Sequence, residues 1–153
     1  MRSVVVSLTL AMLLLAGSAI ATEARPVSKS YVVKSGKGQK RIHAKGAQVE
    51  FLASPRLQKN KNVFLSRLTL PAKGRVPEHR DPTEEYLYVL SGSGTLKLDG
   101  KPHTLSAGDT VYMAENALVS FQAGDSVVEV IQIFAPSGPE EKYSSWEKLV
   151  EGK

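Results

Sequence analysis

The sequence predicts a single all-β domain, built as a barrel or a sandwich of short strands. Eight to ten short apolar or alternating segments follow one another, and a turn signal separates them every 6 to 12 residues. The Asp99-Gly100 dipeptide between two of these segments is a strong signal for a two-residue hairpin. No long helical period appears before the C-terminal tail, so the pattern favours a sandwich or barrel over helical and α/β folds.

Each strand is predicted where β-branched and aromatic residues cluster between turn residues. In chain order the predicted strands are 31–34, 49–52, 63–70, 85–90, 95–98, 101–105, 110–113, 118–121 and 126–134. Pro71 ends the third strand, and the glycine-rich run 91–94 closes the fourth. The tail is predicted as one short helix over 139–150, which Pro139 opens and which Trp146 packs against the barrel.

The N-terminus has the features of a secretory signal peptide. Arg2 precedes a twelve-residue apolar run, and the small residues Ala19 and Ala21 form an A-x-A cleavage pattern. We expect residues 1–21 to be a signal peptide and residues 22–153 to form one domain. An uncleaved membrane anchor is the alternative, because the 18 residues that end at Ala21 nearly suffice to span a bilayer. Cleavage predicts a periplasmic or secreted protein without a stable membrane anchor.

Composition and charge exclude several kinds of site. The 153 residues include no cysteine, which rules out disulfides, thiolate zinc sites, iron–sulfur clusters and a cysteine nucleophile. The net charge is +11 over residues 29–75 and −7 over residues 76–153. Aromatic residues are sparse in the basic segment 29–75, so no nucleic-acid partner is expected. We interpret this segment as a solvated face that neutralises the acidic half, and a surface for acidic polymers of the cell envelope is the alternative.

Three side chains that carry chemistry stand in the order H-x-D-x3-E. His79 and Asp81 are two residues apart, so on one strand both side chains would point to the same face. Glu85 then begins the partner strand, where alternation places it on one face with Leu87 and Val89. We therefore expect one imidazole and two carboxylates to meet at one point inside the barrel.

The segment around these residues resembles the first motif of the cupin superfamily, G-x5-H-x-H-x3/4-E-x6-G. The residues that keep its spacing are His79, Asp81, Glu85 and Gly92. Asp81 stands where the family has its second histidine, and Gly74 is one residue closer to His79 than the motif asks. Asp99-Gly100 and the turn at 107–109 are similar to the second motif in its looser form. The likeness covers residues 63–134 and implies a single cupin domain, a jelly-roll (double-stranded β-helix) barrel.

The second cupin motif is incomplete, because Val119 stands where the family has a histidine ligand. The resemblance implies that His79, Asp81 and Glu85 are the metal ligands that remain. Such a set would hold a divalent ion (Mn, Fe, Zn or Ni) only weakly. A metal-free pocket that uses the same residues and a purely structural role for them are alternatives that the sequence leaves open.

The sequence thus predicts an exported cupin-domain protein that binds a small polar ligand in the barrel cavity, with or without a weakly held divalent metal. The alternative is a metal-dependent enzyme, such as a dioxygenase, isomerase or lyase, that acts on a small organic substrate. Because this barrel hosts many chemistries, the fold does not decide between a binding protein and an enzyme.

Other residues have narrower expectations. Arg67 is a charge inside an apolar strand and a candidate anchor for an anionic ligand, with an edge position or snorkelling as the alternative. His43 could fold over the cavity mouth and supply a missing ligand, and His103 is expected to be an exposed hairpin residue. Tyr86 and Tyr88 alternate to the outer face, where they indicate a homodimer interface or, equally, packing beneath the N-terminal strands.

Overall fold

The computed structural model, which describes residues 30–59 and 62–149, contains eleven β-strands in two antiparallel sheets. The strands are β1 (Gln39–Ile42), β2 (Gln48–Ala53), β3 (Phe64–Leu70), β4 (Arg75–His79), β5 (Glu84–Ser91), β6 (Ser93–Leu98), β7 (Lys101–Ser106), β8 (Thr110–Met113), β9 (Val119–Ala123), β10 (Val128–Ala135) and β11 (Glu147–Leu149). A single helical turn, α1 (Pro55–Gln58), follows β2, and a 3₁₀ helix (Pro139–Ser145) precedes β11. The predicted all-β class is confirmed. The predicted signal peptide, residues 1–21, lies outside the described residues.

The two sheets enclose one hydrophobic core. The larger sheet has the order β11-β1-β2-β3-β10-β5-β8, and the smaller has the order β4-β9-β6-β7. Along β3 and β10 every second residue is buried, which is the period expected of strands with one face on a core. The core combines side chains of both sheets, such as Val89 and Val130 from the larger and Leu96 and Val119 from the smaller. None of the described helices is long and apolar enough to cross a membrane.

The central strands and the predicted hairpin are present. Asp99 and Gly100 both have positive φ, at 48° and 81°, which is the backbone that a two-residue hairpin between β6 and β7 requires. The sequence did not predict three of the strands, β1, β4 and β11. β1 and β4 are rich in charged residues, and β4 also contains Pro77, which its place at the edge of the smaller sheet tolerates. Residues 31–34, predicted as a strand, form none.

The tail differs from the predicted helix over 139–150. Pro139 does open a helix, but it is of the 3₁₀ type and ends at Ser145. Trp146 is extended, and the chain continues as β11, which pairs with β1 at the edge of the larger sheet. The predicted packing of Trp146 on the barrel is confirmed, since its ring lies 4.8 Å from that of Tyr143 and contacts the core.

An aromatic cluster fixes the tail against the barrel. Tyr143, which is almost fully buried, lies with its ring centroid 6.2 Å from Phe64 and 6.3 Å from Phe51. Phe64 in turn stacks on Phe134 at 6.0 Å, across the β3–β10 pair. Because aromatic side chains contribute large buried areas, the 3₁₀ helix is held as part of the core rather than as a loose extension. This packing also fixes the position of the residues next to Tyr143 in the chain.

Candidate functional site

The structure brings His79, Asp81 and Glu85 together. One ligand atom from each of the three lies within 4.8 Å of the others, and no further His, Asp or Glu of the described residues joins this group. His79 is the last residue of β4, and Glu85 is the second residue of β5. Asp81 lies beyond the end of β4, in the turn between the two strands, rather than on one strand with His79. Glu84 and Tyr86 face the opposite side of β5, as alternation predicts.

Backbone contacts hold the turn that carries Asp81. The carbonyl oxygen of Asp81 accepts a hydrogen bond of 2.8 Å from the Asn116 amide, and the Arg80 guanidinium donates to the Asn116 carbonyl. Nδ1 of His79 lies 2.9 Å from the carbonyl oxygen of Pro77, so Nδ1 is the donor and Nε2 faces Asp81. These contacts orient both side chains toward Glu85.

The three residues line a cavity of about 420 Å³ between the two sheets. Most of its wall is aliphatic or aromatic and comes from both sheets, as in Leu68, Val89, Leu96, Met113, Val130 and Phe121. The polar part of the wall consists of the three residues with Gln132, Lys142 and Tyr143, and of His43, Arg75, Arg80 and Ser120. The cavity therefore offers a large apolar volume beside one compact polar cluster.

Glu85 is the buried end of a hydrogen-bonded network. Its side chain is only 6% exposed, and Oε1 accepts a hydrogen bond of 2.7 Å from Nε2 of Gln132. Oε1 of Gln132 accepts in turn from the hydroxyls of Tyr143 at 2.8 Å and Ser66 at 3.2 Å. Burial raises the pKa of Glu85, and the hydrogen bond from Gln132 only partly opposes this effect. The carboxyl group thus favours its neutral form more than an exposed glutamate does.

Two partners stabilise the charged form of Asp81. Oδ2 of Asp81 lies 2.8 Å from Nζ of Lys142 and 3.5 Å from Nε2 of His79. Burial alone would raise the pKa of Asp81, but hydrogen bonds from His79 and Lys142 outweigh it and lower the pKa. The hydrogen bond to Asp81 raises the pKa of His79. Asp81 is therefore an anion that two potential cations share.

This arrangement does not fit a resident divalent ion, which the cupin resemblance implied. Val119 pairs directly with His79 in the β4–β9 register, so the position of the family's further histidine carries no donor atom. The ammonium of Lys142 bonds Asp81, and the amide of Gln132 bonds Glu85, so both carboxylates already have partners.

The other predicted residues differ in whether they reach the cavity. Arg67 is not in the cavity: it points from the outer side of β3 into a separate pocket of about 230 Å³, whose wall also contains Glu50 and Glu129. His43 does line the cavity, and its ring packs 5.2 Å from that of Trp146. His103 is exposed on β7, as expected.

Three residues of the site were missed by sequence reasoning. Gln132 carried a signal, because it is the one polar side chain at the alternate positions of β10 that are buried. Lys142 and Tyr143 carried none, since the tail reaches the cavity only through packing between residues far apart in sequence.

Comparisons with known proteins bear on the fold. The Cupin domain family matches residues 66–134. No curated protein matches the chain. An RmlC-like cupin from Shewanella frigidimarina is 14% identical, with a TM-score of 0.66 over 76% of this chain and 99% of that one. A predicted oxalate decarboxylase from Thermotoga maritima is 22% identical, with a TM-score of 0.61 over 70% of this chain and 100% of that one.

An RmlC-like cupin family protein from Methanocaldococcus jannaschii, described as having a double-stranded β-helix fold, is similar as well. It is 24% identical, with a TM-score of 0.55 over 76% of this chain and 98% of that one. At these identities the likeness shows the fold, and the implied double-stranded β-helix barrel is confirmed.

The buried carboxyl group of Glu85 predicts a pH-dependent stability. A carboxyl group whose pKa is raised by folding stabilises the folded state below its unfolded pKa, and this stabilisation is lost as the pH rises through the folded pKa. Glu85→Gln keeps the acceptor for Gln132 and removes the ionisation. We expect this variant to have a higher free energy of unfolding than wild type at pH 7, and a smaller gain at pH 4.

Urea denaturation at both pH values measures this difference, with Glu115→Gln as the exposed control that leaves stability unchanged. A Glu85→Gln variant that is less stable than wild type at pH 7 would contradict the assignment.

Proposed function

We propose, given that this chain is a member of the cupin superfamily, that its barrel cavity binds one small organic molecule without catalysis. The observation that supports this function is the cavity itself, with about 420 Å³ of mostly apolar volume beside one polar cluster. Cavities that bind small ligands usually have volumes of this order and a few convergent polar groups. The carboxylates of the cluster are bonded within the protein, which suits recognition better than the binding of a catalytic ion.

The wall of the cavity indicates what kind of molecule it holds. The sequence led us to expect a small polar ligand, but a wholly polar molecule would lose its hydrogen bonds to water against the aliphatic wall. We therefore propose a ligand with an apolar body and one polar end. The polar end would face His79, Asp81 and Lys142, and the body would contact Leu68 and Val130.

A metal-dependent enzyme is the second candidate. It is favoured by the closeness of the His79, Asp81 and Glu85 ligand atoms, all within 4.8 Å, and by the perturbed pKa values of these groups in a cavity. Val119 and Lys142 argue against it, because one supplies no donor and the other brings a positive charge to the place of the ion.

Cavity binding predicts a specific effect of filling the cavity. Val130→Phe adds volume to the cavity wall, whereas Val127→Phe adds the same residue at an exposed position. We expect the fluorescent probe 1-anilinonaphthalene-8-sulfonate to bind wild type and Val127→Phe saturably, at one molecule per chain. Val130→Phe should weaken this binding at least tenfold, as measured by fluorescence titration. Equal binding by Val130→Phe and wild type, or no saturable binding by wild type, would contradict cavity binding.

We further propose that the chain forms a homodimer through the outer face of β5. Tyr88 is 46% exposed there, and Leu90 beside it is 38% exposed. The hydroxyls of Tyr86 and Tyr112 both donate to Glu84, which orders the aromatic side chains of this face. Sedimentation velocity should give twice the mass of the chain for wild type and a monomer for Tyr88→Glu. A wild-type monomer at micromolar concentration would rule the dimer out.

Export to the periplasm or the medium is also part of the proposal. It rests on Arg2, the apolar run after it and the small residues up to Ala21. N-terminal sequencing of the protein from its native compartment should begin at Thr22. Recovery of a chain that still begins at Met1 would contradict cleavage.

A further inference from the structure

Lys142 lies in the wall of the cavity, where it is bonded to Asp81. It comes from the tail, 61 residues after Asp81, and its Nζ lies 2.8 Å from Oδ2 of that residue. Nζ also lies 4.8 Å from the centre of the buried Phe134 ring, a distance at which a cation is attracted to the ring face. The side chain lines the cavity and is 36% exposed, so its charge borders the polar cluster on one side and solvent on the other.

The position of Lys142 is fixed by its neighbours. Pro139 and Tyr143, on either side of it in the 3₁₀ helix, are buried, and Tyr143 is bonded to Gln132 within the core. The backbone at residue 142 therefore cannot move away without loss of packing. The ammonium is held beside the cluster by the fold as well as by its own ion pair.

We propose that Lys142 is the resident cation of this pocket: its ammonium takes the place of a divalent metal beside Asp81 and Glu85, and it binds the polar end of the ligand when that end is anionic. An ammonium has three N–H donors, and Asp81 is the one acceptor that the described residues give it. The other donors are available to a carboxylate or sulfonate that enters the cavity. A divalent ion at the same place would be repelled by the ammonium at a distance of a few ångströms.

The exclusion of metal is tested with Co²⁺ alone as the probe, so this test does not depend on the proposed function. We expect wild type to bind Co²⁺ with a Kd weaker than about 1 mM and to gain no melting temperature from it. Lys142→Met should bind Co²⁺ at least tenfold more tightly, seen by visible absorption and by a raised melting temperature.

Three further variants control this result. Lys142→Arg keeps the charge and should stay metal-free, and Lys101→Met removes a remote exposed charge and should behave as wild type. Adding His79→Ala to Lys142→Met should abolish the gain. Lys142→Gln serves as a second neutral variant if Lys142→Met does not fold. Tight Co²⁺ binding by wild type, or no gain in either neutral variant, would overturn the exclusion.

The preference for an anion rests on the proposed function and is tested with two matched probes. N-phenyl-1-naphthylamine has the aromatic body of 1-anilinonaphthalene-8-sulfonate but lacks the sulfonate. We expect wild type to bind the sulfonate about tenfold more tightly than the neutral probe, as one charge-assisted hydrogen bond predicts. Lys142→Met should lose this preference and still bind the neutral probe.

Equal affinity of wild type for the two probes would overturn the role of Lys142 in binding anions. If neither probe binds wild type, the proposed function fails, and the Co²⁺ result stands on its own.

Discussion

The site depends on how the charge states of two carboxyl groups, those of Glu85 and Asp81, are stabilised inside an apolar barrel. A buried carboxylate is costly unless it is paired or hydrogen-bonded, and the two groups meet this demand differently. Glu85 lies deep in the wall and is bonded by Gln132, with its pKa raised by burial. Asp81 lies nearer the mouth and stays anionic between Lys142 and His79. Burial thus shifts the Glu85 carboxyl group toward its neutral form, while its partners stabilise the charged form of Asp81, within a few ångströms of each other.

Other elements of the structure supply the partners of these two carboxyl groups. The β3–β10 pair supplies Ser66 and Gln132 from its inward positions, and the tail supplies Tyr143 and Lys142. The aromatic packing of Tyr143 on Phe64 therefore also fixes the position of Lys142, the residue before Tyr143 in the chain. The tail is part of the functional barrel although the matching family segment ends at residue 134.

The sequence predicted the strands that alternate and the turns between them, because both signals are local. It also predicted the meeting of His79, Asp81 and Glu85, since these residues are close in the chain. The sequence did not predict β4, because its charged residues and Pro77 are not typical of a strand. Its strand conformation depends on pairing with β9. The prediction failed for Lys142 because nothing in a polar tail indicates which of its lysines will face a carboxylate 61 residues away.

The position of Arg67 outside the cavity follows from the alternation of its strand, β3. Its strand alternates, so a charged residue between Ser66 and Leu68 had to face away from the core, where Glu50 pairs with it in register. Alternation alone could have placed it on the outer face.

We propose that the pocket holds the ammonium of Lys142 where the cupin resemblance implied a divalent metal. The most direct measurement is the metal content of the protein purified from its native compartment, without chelators and without an affinity nickel column. The account predicts a folded protein with well below one equivalent of Mn, Fe, Zn or Ni per chain. A near-stoichiometric content of any of these metals would contradict it and would make His79, Asp81 and Glu85 a metal centre.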